Sequence, residues 1–97
     1  MRAAEFLAQA QSEMEDRKQT YDRPSGARSM MKTVAMFNAL TDHNLTEEQG
    51  WKFMVCLKLA RSEQGGVRED NFVDGAAYFG LAGETATRVA EGVEDGD

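Results

Sequence analysis

The chain has 97 residues, of which 41% are hydrophobic and 29% are charged, a size and composition typical of one globular domain. No apolar stretch approaches the ~20 residues that a membrane helix needs, and the single histidine and single cysteine exclude paired-histidine zinc motifs, thiolate metal sites and an intrachain disulfide. Without a signal-peptide pattern, the lone Cys56 favours a protein of the reducing cytoplasm.

The net charge of −6 is unevenly distributed along the chain. Residues 84–97 carry five acidic residues against Arg88, so we predict a helical bundle domain over residues 1–83 and an acidic C-terminal tail over residues 84–97. Residues 17–32 carry five cations against Asp22 alone, namely Arg17, Lys18, Arg23, Arg28 and Lys32. Such a basic segment is a candidate phosphate-binding surface, although a solvated helix face is the commoner explanation.

Two helices are predicted in the first half of the chain, because apolar residues recur there at spacings of three and four. The first helix covers about eighteen residues and ends before Pro24, the only proline. The second begins at Ala27 or Arg28 and ends near Thr41. Its inward face is predicted to carry Met30, Val34, Phe37 and Leu40.

The third helix has the clearest start signal in the sequence. Thr46 offers an N-cap hydroxyl, and Gln49 completes a T-x-x-Q capping box. The helix that follows is apolar on nearly every side except at Lys52 and Lys58, so we expect it to be the most buried of the helices.

A fourth helix is predicted after the break at Gly65 and Gly66, with Asp70 or Asn71 as its N-cap. Its predicted inward positions are Phe72, Ala76 and Phe79. Five phenylalanines fall at core spacing and are interpreted as core residues: Phe6, Phe37, Phe53, Phe72 and Phe79. Because four helices cannot cover such an apolar third helix, we expect an all-α four-helix bundle that forms a homo-oligomer, a dimer or tetramer.

Charged residues are predicted to meet where the third and fourth helices join. Lys58 and Arg61 are three residues apart on one helix face, and Asp70 and Asp74 are four apart on the next helix. A short loop should bring these pairs together. Two interpretations stay open: an ion-pair cluster that fixes the hairpin, or a phosphate site with Lys58, Arg61 and Arg68 as ligands.

Three spaced blocks of the sequence resemble a family of small uncharacterised proteins found largely in bacteriophage genomes. The blocks are Asp16-Arg17 followed by Tyr21, then Leu57-Lys58-Leu59-Ala60-Arg61, then Asp70-Asn71-Phe72-Val73-Asp74 followed by Ala77-Tyr78. That family is distantly similar to the MazG-like, all-α nucleoside triphosphate pyrophosphohydrolases. The resemblance therefore implies a MazG-like helical bundle.

MazG-like enzymes hold Mg²⁺ with an E-x-x-E pair on one helix and an E-x-x-D pair on the next. The resemblance places Lys58 and Arg61 at the first pair, and Asp70 and Asp74 at the second. A cation cannot bind Mg²⁺, so the resemblance implies a degenerate hydrolase that binds phosphate directly and uses no cofactor.

These observations predict a noncatalytic phage-type protein that binds nucleic acid, with single-stranded DNA favoured, or nucleotides. Tyr21 is a candidate to stack on a base, or equally to plug the end of the bundle. The candidate binding residues are Arg17, Lys18, Tyr21, Arg23, Arg28, Lys32, Lys58 and Arg61, and Asp70 and Asp74 are candidates for ion pairs or a residual metal site.

Two alternatives stay open. One is a nucleotide pyrophosphohydrolase that hydrolyses dNTPs with an atypical Mg²⁺ site. The other is an inhibitor of a host protein in the host cytoplasm, a role in which the acidic tail would contact the partner. No membrane partner is expected.

Overall fold

The computed structural model describes residues 1–20 and 28–92, and side chains within 1–16 and 29–92. These residues form four helices: α1 (Ala3–Thr20), α2 (Arg28–Thr41), α3 (Glu47–Ser62) and α4 (Glu69–Ala90). Within the described ranges there is no strand, so the predicted all-α class with four helices is confirmed. None of these helices is long and apolar enough to cross a membrane.

The loop between α2 and α3 is held by side chains that satisfy free backbone groups. The Thr46 hydroxyl accepts the backbone N–H of Gln49 at 3.1 Å, and the Gln49 side chain accepts the backbone N–H of Thr46 at 2.9 Å, so the predicted capping box is confirmed. The Asn38 amide both donates to the carbonyl of Leu45 and accepts its N–H. These bonds fix the angle at which the chain enters α3.

The helices pack side by side in the order α2, α3, α4, α1. Within the described residues, α4 contacts both α3 and α1, while α2 contacts α3 alone. The buried apolar cluster comprises Met30, Val34, Trp51, Leu81 and Ala82. The Trp51 ring stacks on Tyr78 with 5.9 Å between ring centroids, so Trp51 belongs to the core.

The expectation that α3 is the most buried helix is wrong for the single chain. Only Gly50, Trp51 and Lys58 are buried on α3, whereas five residues are buried on α4. The reason is position, because α4 lies between α1 and α3. Much of the apolar surface of α3 therefore remains exposed, including Phe53, which is 68% exposed.

The predicted inward face of α4 is also wrong. Phe72 and Phe79 are 48% and 61% exposed, while Val73, Leu81 and Ala82 are buried. The spacing of apolar residues was predicted correctly, but the buried face of α4 includes the small residue Ala82 and no phenylalanine. Gly75 lies at the contact with α3, and a Cβ atom at Gly75 would come within 3.6 Å of the Lys58 Cβ.

The other phenylalanines interpreted as core residues lie at or near the surface. Phe37 is 43% exposed and Phe53 is 68% exposed, so the expectation that they form the core is wrong for the single chain. Phe6 is half-buried and packs edge-on against Phe72, with 5.9 Å between ring centroids. The chain therefore carries aromatic surface that its own helices leave uncovered.

The cap predicted for the fourth helix differs from the one observed, and the helix runs past the predicted domain boundary. The helix begins at Glu69 with Arg68 as its N-cap, and no side chain caps it, so neither Asp70 nor Asn71 has the predicted capping role. The boundary predicted before residue 84 lies inside α4, which continues to Ala90. Thr85, beyond that boundary, is only 3% exposed, so packing holds this part of the helix.

Candidate functional site

An ion pair joins α3 and α4 at the predicted charged cluster. Lys58 Nζ lies 3.0 Å from Asp74 Oδ2, and the lysine side chain is only 10% exposed. The small residue Gly75 next to Asp74 lets the two helices approach closely at this point. Lys58 is therefore neutralised by Asp74, and the pair ties the hairpin together.

The other predicted members of the cluster are arranged differently. Asp70 Oδ1 contacts Arg68 Nε at 3.4 Å rather than Arg61, and both side chains are more than half exposed. Among the described residues, Arg61 forms no ion pair, and it is exposed at the end of α3. Because the Arg68–Asp70 contact is long and exposed, Asp70 holds the Arg68 side chain only weakly.

A polar pocket of about 310 Å³ opens at the start of α4. Its lining residues are Arg61, Gln64, Arg68, Asp70 and Asn71. The first backbone N–H groups of α4 have no side-chain cap there, and the N-terminal end of a helix carries partial positive charge. The two arginines add positive charge at the same place, while Asp70 offsets part of it.

Asn71 is the buried polar residue of this pocket. It is 6% exposed, and its backbone N–H donates to the carbonyl of Arg68. In the described part of the chain, no group hydrogen-bonds to its side-chain amide. The Asn71 amide therefore has hydrogen-bonding groups that a ligand or water can satisfy.

An apolar groove of about 280 Å³ runs between α3 and α4 beside this pocket. Its walls include Val55 and Leu59 from α3 and Phe72, Ala76 and Phe79 from α4. Asn71 lines the groove as well as the polar pocket. Asn71 is therefore a wall that the two cavities share.

The predicted basic segment falls mostly outside the described side chains. This holds for Arg17, Lys18, Tyr21, Arg23 and Arg28. Lys32 is described and is exposed on α2. Nothing in the described part of the chain brings Lys32 to the pocket at the start of α4, whose lining residues come from α3, α4 and the loop between them.

The acidic residues of the cluster face cations rather than one another. Asp74 contacts Lys58, and Asp70 contacts Arg68. Across residues 1–20 and 28–92, no group of three or more histidine, cysteine, aspartate or glutamate side chains is arranged to hold a metal ion.

Two features of this region were not predicted from the sequence. The first is the position of Asn71, which was predicted to cap the helix but lies on the same face of α4 as Asp74. Its spacing of three residues from Asp74 is a signal of that shared face. The second is a buried pair, Glu47 and Arg88, whose Oε2 and Nη2 atoms lie 3.6 Å apart. No local signal could reveal that pair, because its members lie far apart in the sequence, at the start of α3 and the end of α4.

Comparison with known proteins identifies one family. A family model described as a domain of unknown function (DUF6378) matches residues 5–86, a span that reaches from α1 into the last turns of α4. No curated protein and no solved structure matches the chain.

Proposed function

The chain belongs to the DUF6378 family, and we propose that it is a noncatalytic protein that binds the phosphate groups of nucleic acid or nucleotides. One observation carries this proposal: Arg61 and Arg68 flank the uncapped start of α4 in an open polar pocket. Guanidinium groups bind phosphate oxygens in a two-pronged geometry, and a helix N-terminus adds N–H donors. The pocket thus has the donors that direct phosphate binding needs.

Lys58 has a positioning role in the proposed site. Its charge is committed to Asp74, so it holds α3 against α4 and keeps Arg61 close to Arg68. Arg68 is more available, because its contact with Asp70 is 3.4 Å long and exposed, and a phosphate can replace that carboxylate.

The proposal also includes the absence of catalysis and a distant relationship to the MazG-like enzymes. We propose a phage-type, MazG-like scaffold in the host cytoplasm whose first acidic pair has become Lys58 and Arg61. The contacts of Asp70 and Asp74 with cations support this, because a carboxylate engaged by a cation is a poorer ligand for Mg²⁺. No cofactor is proposed.

Nucleic acid is proposed as the larger ligand, with single strands favoured. The basic segment from Arg17 to Lys32 would add phosphate contacts to those of the pocket, and Tyr21 offers a ring on which a base can stack. Each phosphate contact releases a counterion, so the affinity for single strands should fall with a log-log salt slope of roughly −0.7 per contact.

Replacing Arg61 or Arg68 with glutamine should weaken binding of a single-stranded oligonucleotide about tenfold or more, since charge-assisted hydrogen bonds contribute about 1.5 to 3 kcal/mol. The matched control is Lys52→Gln, which removes one exposed α3 cation away from the pocket. Fluorescence anisotropy at two salt concentrations measures both effects. Equal losses for Arg61→Gln and Lys52→Gln would contradict a phosphate site at the start of α4.

The same titrations separate the ligand classes. Single-stranded DNA, double-stranded DNA and the nucleoside triphosphates are compared, and pyrophosphate release is assayed with Mg²⁺. Rapid Mg²⁺-dependent release that Asp70→Ala or Asp74→Ala abolishes would contradict the noncatalytic proposal and establish the hydrolase alternative.

We also propose that the protein is a homo-oligomer. Helices α2 and α3 carry large apolar side chains that remain exposed, among them Met36 (66%), Leu40 (83%) and Phe53 (68%). Within the described chain, α2 has no helical neighbour except α3. A second copy of the chain would bury this surface, which is more apolar than isolated monomers normally leave exposed.

Light scattering should therefore give a mass at least twice the 10.7 kDa of the chain at micromolar concentration. Replacing Leu40 and Phe53 together with glutamate should lower that mass, because a buried charge would oppose association. The control is Val67→Glu, in the loop after α3, where the side chain is 87% exposed. A monomer in the unaltered protein would overturn the proposal.

A further inference from the structure

We propose that the polar pocket and the apolar groove form one site for a single nucleotide unit, with the phosphate at Arg61 and Arg68 and the base in the groove. This inference rests on the proposed phosphate binding and adds the position and recognition of the base. The juxtaposition that carries it is Asn71, a residue only 6% exposed that lines both cavities and whose amide forms no hydrogen bond to the described residues.

The chemistry of Asn71 suits the edge of a nucleobase. An amide side chain presents two donors and one carbonyl acceptor side by side, and base edges present donors and acceptors in matching arrays. Among the described residues this amide has no hydrogen-bond partner, and the residue as a whole is only 6% exposed. A base that reached it from the groove would satisfy a group that otherwise remains unpaired.

The groove supplies apolar surface for the face of the base. The Phe72 and Phe79 rings line it from α4 and remain 48% and 61% exposed, and Leu59 lines it from α3 with 61% exposure. Nucleobases stack on aromatic side chains, with sequence tolerance because every base has a π face. Phe79 therefore has a use in binding that the fold itself does not give it, while Phe72 also packs against Phe6.

The size and polarity of the two cavities match the two ends of a nucleotide. The apolar groove is about 280 Å³ and the charged pocket about 310 Å³, and small-molecule sites typically range from roughly 300 to 1,000 Å³. The polar end is positive, with two arginines and a helix N-terminus against Asp70. A ligand that joins a ring to an anionic group fits an apolar groove beside a positively charged pocket.

The test compares thymidine 5′-monophosphate, the other deoxynucleoside monophosphates, thymidine and inorganic phosphate by isothermal titration calorimetry. We expect at least one monophosphate to bind about tenfold or more tightly than inorganic phosphate, because stacking adds to the phosphate contact. Arg61→Gln should weaken both ligands. Phe79→Ala should weaken nucleotide binding and leave phosphate binding unchanged, and Asn71→Leu should weaken nucleotide binding more than phosphate binding.

The control for Phe79→Ala is Val89→Ala, since Val89 is an exposed apolar residue on α4 (72%) that does not line the groove. Circular dichroism and the oligomer mass are recorded for every variant, so that a folding or assembly defect is recognised. If Phe79→Ala changes the mass but not nucleotide binding, the groove is an interface between copies and the inference is wrong.

Other outcomes distinguish the inference from the proposal on which it rests. Equal binding of inorganic phosphate and every monophosphate, unaffected by Asn71→Leu, would overturn the base site and leave the phosphate site standing. Failure of all phosphate ligands to bind would overturn both. Competition with a short oligothymidylate identifies the source: a tighter, more salt-dependent oligonucleotide indicates a unit of a strand, and equal affinity indicates a free nucleotide.

Discussion

Replacing Arg88 with methionine is expected to lower the free energy of unfolding by about 3 kcal/mol or more, because the change removes a cation that lies 3.6 Å from the largely buried Glu47 carboxylate. The two side chains are only 16% and 13% exposed and join the end of α4 to the start of α3. Arg88 Nη2 also donates to the Thr85 hydroxyl at 3.1 Å. Urea denaturation followed by circular dichroism measures the loss.

A second ion pair on α3 gives the matched control. Lys52 lies 2.7 Å from Glu48, but both side chains are substantially exposed, so Lys52→Met should cost only about 0.3 to 0.5 kcal/mol. The double variant Glu47→Leu/Arg88→Met should recover much of the loss, since no buried charge then remains. A loss for Arg88→Met no larger than for Lys52→Met would show that Glu47 stays solvated.

The start of α3 could be predicted to the residue because its signals are local. A threonine hydroxyl and a glutamine amide three residues later satisfy each other's backbone groups, whatever the rest of the chain does. The contact between Lys58 and Asp74 was also predictable, since a short loop brings neighbouring helices together. Local geometry and short connections therefore account for what the sequence revealed.

The inward face of α4 could not be predicted in the same way. Two adjacent stripes on this helix are apolar, one with Phe72 and Phe79 and one with Val73 and Leu81. Helical periodicity does not choose between them. The choice depends on close approach to α3 at Gly75, where small side chains allow contact that phenylalanines would prevent.

The candidate site was predictable only in part for the same reason. The positions of Arg61 and Arg68 beside the α3–α4 loop follow from the chain order, and the sequence analysis included both as phosphate ligands. The role of Asn71 depends on burial, which arises from packing between helices. The Glu47–Arg88 pair depends on the antiparallel alignment of α3 and α4 along their full length.

Replacing Gly50 with leucine is expected to lower the free energy of unfolding by about 3 kcal/mol, because overpacking and lost burial outweigh the higher helix propensity of leucine. Gly50 is where α2 crosses α3. A Cβ atom there would lie 2.5 Å from Met30 Sδ and 2.7 Å from Val34 Cγ1. Met30 can move its flexible end, but the branched Val34 is stiff, so α2 itself must shift.

The matched control is Gly83→Leu on α4, where a Cβ atom would meet nothing within 4 Å. That change should raise the free energy of unfolding by about 0.5 to 1 kcal/mol through helix propensity alone. The two changes in the free energy of unfolding differ in sign because only the leucine at residue 50 displaces a neighbouring helix. Among the described residues α2 contacts α3 alone, so its displacement exposes both Met30 and Val34. If urea denaturation gave the same sign for both variants, the close crossing at Gly50 would be contradicted.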